Sequence, residues 1–166
     1  MIYTKKYVSP LGEMLLAEEN DALIGLWFTG QKYFPSLDGQ DMSTPCLERV
    51  TEWLDRYFAG KAPDISEIPI LLRGSDFRLA VWHILTGIPY GTTLTYGKIA
   101  GQLEKQTGRR VSAQAVGGAV GHNPISVIVP CHRVVGADGS LTGYAGGTDK
   151  KAWLLQHEKL TSSHGL

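Results

Sequence analysis

Cys131 and His132 are neighbours in sequence, and they follow Pro130 and the apolar run Ile125-Ser126-Val127-Ile128-Val129. A thiol reacts as its thiolate, and a free cysteine with a pKa near ~8.5 is mostly protonated at neutral pH, so chemistry at Cys131 requires a base. Adjacent side chains cannot easily share a direct, well-aligned hydrogen bond, so transfer of the proton to His132 through a water is the expected route. The imidazole then needs an acid to orient it, and Glu158, beside His157, is a candidate. The same pair also suits a buried, inert cysteine beside a histidine satisfied by the core, or a Cys-His hydrolase.

The elements that must position these residues divide the chain. In the first half, Ile2–Val8, Glu13–Glu18 and Ala22–Phe28 read as strands, with turns at Ser9–Gly12 and Asn20-Asp21. Residues 29–44 read as loop. Thr44 can cap a helix that has Pro45 in its first turn and an apolar face of Leu47, Val50, Leu54, Tyr57 and Phe58, ending before Gly60. Residues 61–73 read as a linker with a short strand at Ile68–Leu72.

The second half reads as helical. One helix is expected from Ser75 to Gly87, and a second from Thr95 with Tyr96, Ile99, Ala100 and Leu103. A third, Ala113–Gly121, is capped by Ser112, and a last runs from Asp149 to Leu160 with Thr148 as its cap. The second and third of these, joined by a polar loop at Gly108-Arg109-Arg110, fit a helix-turn-helix or a plain helical pair. The expected domains are 1–73 and 74–160, with a flexible tail at 161–166.

Composition narrows the setting. The 166 residues include two cysteines, Cys46 and Cys131, far apart and outside any CxxC pair, which argues against a disulfide framework or a zinc knuckle. No histidine precedes His83, so no metal is expected in the first half; Cys46 reads as core and His83 as surface. No apolar run reaches the roughly 20 residues of a membrane span, and Met1–Lys6 lacks the apolar segment of a signal peptide, so a cytoplasmic location is expected. The net charge of zero hides a split: residues 1–73 carry 7 basic and 11 acidic side chains, and residues 74–166 carry 9 and 5. A second module facing an anion, or a solvated basic surface, would produce that split.

In order, the chain presents Pro89-Tyr90-Gly91, Tyr96, Ala115-Val-Gly-Gly-Ala119, His122-Asn123-Pro124, Val129-Pro-Cys-His-Arg-Val134, Gly143-Tyr144-Ala145-Gly-Gly147 and Trp153-Leu-Leu-Gln-His-Glu158. This series resembles the O6-alkylguanine-DNA alkyltransferases, also called methylated-DNA–protein-cysteine methyltransferases. It covers most of residues 74–160; the first half matches best at Tyr57-Phe58-Ala59-Gly60.

The resemblance implies an α+β fold. A small N-terminal β-sheet domain with a helix, ribonuclease-H-like, precedes a helical, winged-helix-like DNA-binding domain carrying the site. It implies a suicide repair protein that flips O6-alkylguanine out of double-stranded DNA and keeps the alkyl group on Cys131, with O4-methylthymine as a second possible substrate. No cofactor, metal or membrane is implied, and a monomer is expected. His132 would take the thiol proton through water, with Glu158 holding the imidazole. Tyr96 would donate to the guanine ring, and Asn123 would tie the reading helix to the active-site turn.

The resemblance also implies a pocket built from Val134, Tyr144 and Ala145, in which the Cys131 and Val134 carbonyls accept from the guanine amino group and the Ala145 N–H donates to O6. Arg133 would pair with an acid and hold the turn. Thr95, Arg110, Ser112, Ala113, Gln114 and Gly117 would meet DNA, and His122 is a further candidate for its backbone. Many family members have an arginine where this chain has Gln114; glutamine lacks the planar cation suited to filling the gap left by a flipped base.

Overall fold

The computed structural model describes residues 1–162. The described chain forms two compact units: Met1–Arg73 with Pro124–Ile128, and Gly74–Asn123 with Val129 onward.

The first unit is a sheet backed by one helix. Strands β1 (Ile2–Ser9), β2 (Gly12–Glu19) and β3 (Ala22–Phe28) form an antiparallel meander, and β4 (Gln40–Asp41) pairs parallel with β1, giving the order β3-β2-β1-β4. Asn20 and Asp21 both take positive φ, 53° and 63°, the backbone of a tight two-residue hairpin. Helix α1 (Pro45–Phe58) is capped by the Thr44 hydroxyl, which accepts from the Leu47 N–H at 3.1 Å. Its face of Leu47, Val50, Leu54 and Tyr57 packs on the meander with Met14, Leu16, Leu26 and Phe28, all of them buried. Phe58, expected on that face, is only partly buried, while Cys46 and Trp53 join the core.

Two sequence expectations fail here for identifiable reasons. The loop 29–44 contains β4, whose Gln-Asp pair carries no strand signal. The expected strand at Ile68–Leu72 shrinks to a single parallel bridge, Leu23↔Ile70, because Pro69 has no N–H to extend a ladder. Further along β3, Leu26 bonds both ways with the inserted segment, its N–H to Pro124 O and its carbonyl to the Ser126 N–H, each at 2.8 Å. These short pairings cover an edge that would otherwise stay open.

The second unit is helical. Helices α2 (Asp76–Thr86), α3 (Tyr96–Thr107) and α4 (Ala113–Gly121) are capped by the Ser75, Thr95 and Ser112 hydroxyls, which accept from Arg78 N, Lys98 N and Ala115 N. Strand β5 (Leu94–Thr95) pairs parallel with β6 (Val134–Val135). Val81, Leu85, Ile99, Leu103, Val116, Val120 and Leu154 build the core, and Trp82 Nε1 donates to Ala119 O at 2.8 Å, joining α2 to α4. Helix α5 runs Thr148–Ser162, so Thr148 lies inside the helix rather than capping it, and Thr161 and Ser162 continue it into the expected tail. Residues 163–166 lie outside the described residues. No helix among the described residues is long and apolar enough to cross a membrane.

Candidate active site

A short 3-10 turn, Cys131–Arg133, presents the chemistry. Pro130 precedes it with φ −83° and ψ 64°, and the Cys131 N–H donates to Val129 O at 2.8 Å. This is an inverse γ-turn, which proline's fixed φ favours. The turn closes when the Val134 N–H donates to Cys131 O.

Cys131 is 5 % exposed. Burial pushes its thiol up to about 11, against the pull of an Asn123 side-chain hydrogen bond, the Lys151 charge and the backbone amides of Cys131 and His132. The histidine side chain takes no part in that pull. At neutral pH such a thiol is ionised in roughly one molecule in ten thousand. The resting site therefore holds a thiol, not the activated thiolate that an adjacent histidine suggests.

His132 turns the other way. Its Nε2 lies 2.6 Å from Glu158 Oε2, and both side chains are buried. Burial pulls the imidazole pKa down more than Glu158 raises it, so the ring is neutral at rest. Burial alone would raise the Glu158 carboxyl, but bonds and charge from His132 and Arg133 hold it well below the ordinary carboxylate range. An ionised carboxylate only accepts, so Nε2 carries the hydrogen and Nδ1 carries the lone pair. Nδ1 is buried with no hydrogen-bond partner among the described residues. It is the nitrogen free to take a proton.

Glu158 is held from several sides. Arg133 Nε and Nη2 donate to its two oxygens at 2.8 and 3.1 Å, and the Gly91 N–H donates to Oε1 at 3.1 Å. Arg133 Nη1 donates to Ile88 O at 2.7 Å, and its guanidinium lies 5.5 Å from the centre of the Tyr90 ring. Gly91 has φ 77°, and a Cβ there would lie 2.5 Å from Ser162 Oγ, so only glycine brings this amide to the carboxylate.

Asn123, 3 % exposed at the end of α4, donates from Nδ2 to Val129 O at 2.9 Å. It joins the helix end to the turn before Cys131. Tyr96 is half-buried on α3, with its hydroxyl donating to Thr142 O at 2.7 Å rather than into open space. Gly143, with φ 78°, follows that carbonyl; a Cβ there would sit 3.1 Å from the Tyr96 oxygen. Val134 and Tyr144 are buried and Ala145 is partly buried.

The residues expected to meet DNA differ in exposure. Ser112, Ala113 and Gln114 are exposed at the start of α4, Gly117 is half-exposed, and Arg109 and Arg110 are exposed just before them. Thr95 is half-buried and spends its hydroxyl on capping α3. His83 is exposed, and His122 Nδ1 lies 2.7 Å from Gly118 O at the end of α4. Among the described residues no group of three or more His, Cys, Asp or Glu side chains could hold a metal ion.

One residue escaped the sequence reading. Lys151 is fully buried, its Nζ donating to Thr142 O at 3.0 Å and to Tyr96 Oη at 3.4 Å. It forms no ion pair with any carboxylate among the described residues. The available signal was spacing: Lys151, Leu154 and Glu158 recur at helical intervals on the buried side of α5.

The architecture is that of a cysteine-centred site on a helix-turn-helix scaffold. Residues 76–160 match the DNA-binding domain of 6-O-methylguanine DNA methyltransferase, and residues 2–72 match the ribonuclease-like domain of the same protein. A methylated-DNA–protein-cysteine methyltransferase of Mycolicibacterium paratuberculosis is 43% identical over 100% of this chain and 98% of its own length. One from Haemophilus influenzae is 38% identical over 96% of this chain and 87% of its own. A crystal structure of Mycobacterium tuberculosis OGT in complex with DNA superposes with a TM-score of 0.85 at 40% identity, covering 96% of this chain and 94% of that one. The chain belongs to the 6-O-methylguanine DNA methyltransferase family.

Proposed function

We propose that this protein repairs double-stranded DNA by direct reversal, moving the alkyl group of a flipped O6-alkylguanine irreversibly onto Cys131. The observation that carries the reading is the arrangement of His132: one ring nitrogen fixed on Glu158, the other buried with its lone pair open, beside a shielded thiol. In the reaction the thiol proton passes through a water to His132 Nδ1, and Glu158 stabilises the imidazolium. The sulfur–carbon bond forms as the carbon–O6 bond breaks, and the electron pair leaves with guanine. The Tyr96 hydroxyl, rotated away from Thr142 O, donates to the guanine ring. The carbonyls of Cys131 and Val134 accept from the guanine amino group, the Ala145 N–H donates to O6, and Tyr144 lines the pocket.

The exposed start of α4, Ser112 to Gln114 with Gly117, supports its role as the helix laid against DNA, with Thr95 and Arg110 beside it and Arg109 and Arg110 attracting phosphate. The mechanism needs no metal or cofactor, and a monomer in the cytoplasm suffices for it. A thioether cannot leave as a thiolate under these conditions, so each molecule acts once.

The test follows a methyl label from duplex DNA containing O6-methylguanine. The expected result is one equivalent transferred and then no more, with the label on the peptide that contains Cys131. Release of label beyond one equivalent would identify a hydrolase, and tight lesion binding without transfer would identify a recognition protein.

Gln114 supplies a second test. Gln114→Arg is expected to tighten duplex binding by about 1 kcal/mol, roughly fivefold, measured by anisotropy with lesion-bearing DNA. Unchanged or weaker binding would show that Gln114 does not face the gap left by the flipped base.

A further inference from the structure

The departing guanine needs a proton, and a lone tyrosine is a poor source: giving up its hydrogen would leave a phenolate in a half-buried site. Burial and the neighbouring Cys131 both push the Tyr96 hydroxyl above its ordinary range, making that phenolate still less favourable. The structure places a proton reserve directly behind it. Lys151 is fully buried, lies 3.4 Å from Tyr96 Oη and holds its Nζ 5.7 Å from the centre of the Tyr96 ring. A buried cation without a carboxylate costs stability, so its presence beside two reacting groups calls for a chemical reason.

We propose that Lys151 supplies, through Tyr96, the proton taken up by the leaving guanine. The inference deepens the reading of Tyr96 given above and rests on it. As the carbon–O6 bond breaks, Tyr96 Oη–H protonates the guanine ring and Lys151 Nζ protonates the tyrosine oxygen. Lysine ends as a neutral amine and tyrosine is regenerated. Because His132 has taken the thiol proton, one positive charge has moved from Lys151 to His132 and the buried site keeps its net charge. Lys151 is a positioning residue that acts through Tyr96 and does not itself touch the base.

The electrostatics suit this role. Burial brings the Lys151 ammonium down to about 8, against the raising effect of Cys131, so it is charged at neutral pH and releases its proton readily. The titratable groups that feel it are Tyr96 from α3, and Cys131 and His132 from the 3-10 turn.

The test compares Lys151→Met, which removes charge and proton, with Lys151→Arg, which keeps the charge but cannot release a proton. Both variants are expected to transfer methyl from duplex DNA about tenfold or more slowly, with DNA affinity unchanged. Iodoacetamide labelling of Cys131 in Lys151→Arg, which keeps the charge that draws the thiol pKa down, is expected to stay near the wild-type rate, because iodide leaves without a proton. The wild-type advantage over Lys151→Met is expected to shrink as pH rises through about 8.

Wild-type transfer by Lys151→Arg would reduce the lysine to a fixed charge and overturn the relay. Parallel loss of iodoacetamide labelling in Lys151→Arg would make the lysine a thiol activator and do the same. Tyr96→Phe separates the two levels of the argument. If it transfers normally, the reading of Tyr96 itself fails; if it is slow while Lys151→Met is normal, only the relay fails. Adding Lys151→Met to Tyr96→Phe is expected to cost nothing more. Because Lys151→Met removes a buried unpaired cation, its melting temperature is expected to match or exceed the wild type, which separates slow transfer from unfolding.

Discussion

Cys131→Ala is expected to transfer no label at all while binding lesion-bearing duplex within about twofold of the wild type. Cys131 is 5 % exposed in the 3-10 turn, whereas Ser112, Ala113 and Gln114, assigned to DNA, are exposed at the start of α4. Removing a sulfur from a buried site costs about 1 kcal/mol of packing and leaves no charge unpaired, since the resting group is a neutral thiol. Titration with labelled duplex, read beside a binding isotherm, measures both halves. Residual transfer would move the acceptor elsewhere, with Cys46 the only other cysteine in the chain.

Glu158→Gln is the second change with a large expected effect. The carboxylate receives the His132 ring N–H, a forked pair from Arg133 and the Gly91 amide. An amide of the same size cannot accept at both ends, and Arg133 would keep its charge without a counter-ion. Breaking a buried ion pair from one side costs about 3–5 kcal/mol, and the lost orientation of the base is expected to slow transfer about 10²-fold or more. DNA affinity should change far less, and equal losses of binding and transfer would contradict the assignment.

The pH dependence carries its own signature. Because the folded carboxyl sits below its unfolded value, its contribution is fully present above about pH 4.3 and is lost as pH falls. His132 acts in the same direction. Its folded pKa is lowered, so below about pH 6.5 the unfolded chain takes up a proton that the native site resists. Below about pH 4.3, acid should therefore destabilise the wild type more steeply than Glu158→Gln. Denaturant midpoints measured across that range would show it.

Much of the frame was legible because local rules and tertiary packing agree in it. Thr44, Ser75, Thr95 and Ser112 sit where a hydroxyl cap belongs, and each accepts the expected backbone N–H. Cys131, His132 and Glu158 were legible as a set through the ordered motifs around them. What stayed hidden depends on contacts distant in sequence. Nothing in Pro124–Ile128 announces that it bonds to Leu26, a partner nearly a hundred positions earlier.

Lys151 was invisible for another reason. Lysines almost always face water, so one on a buried helical stripe reads as surface until the packing is known. Nor does adjacency in sequence reveal that the His132 ring commits its Nε2 to Glu158. Such departures from local expectation gather where the chemistry is.

The protonated state of the shielded sulfur has a consequence for the protein's lifetime before it meets damage. A reagent that can be used only once must not be spent on peroxide, on glutathione disulfide or on stray electrophiles, all of which a thiolate attacks. With its nucleophile held near 11 and almost sealed from solvent, the molecule waits in an inert form. In the proposed mechanism, reactivity waits for the flipped guanine and the proton path to His132, and not for the medium around the protein.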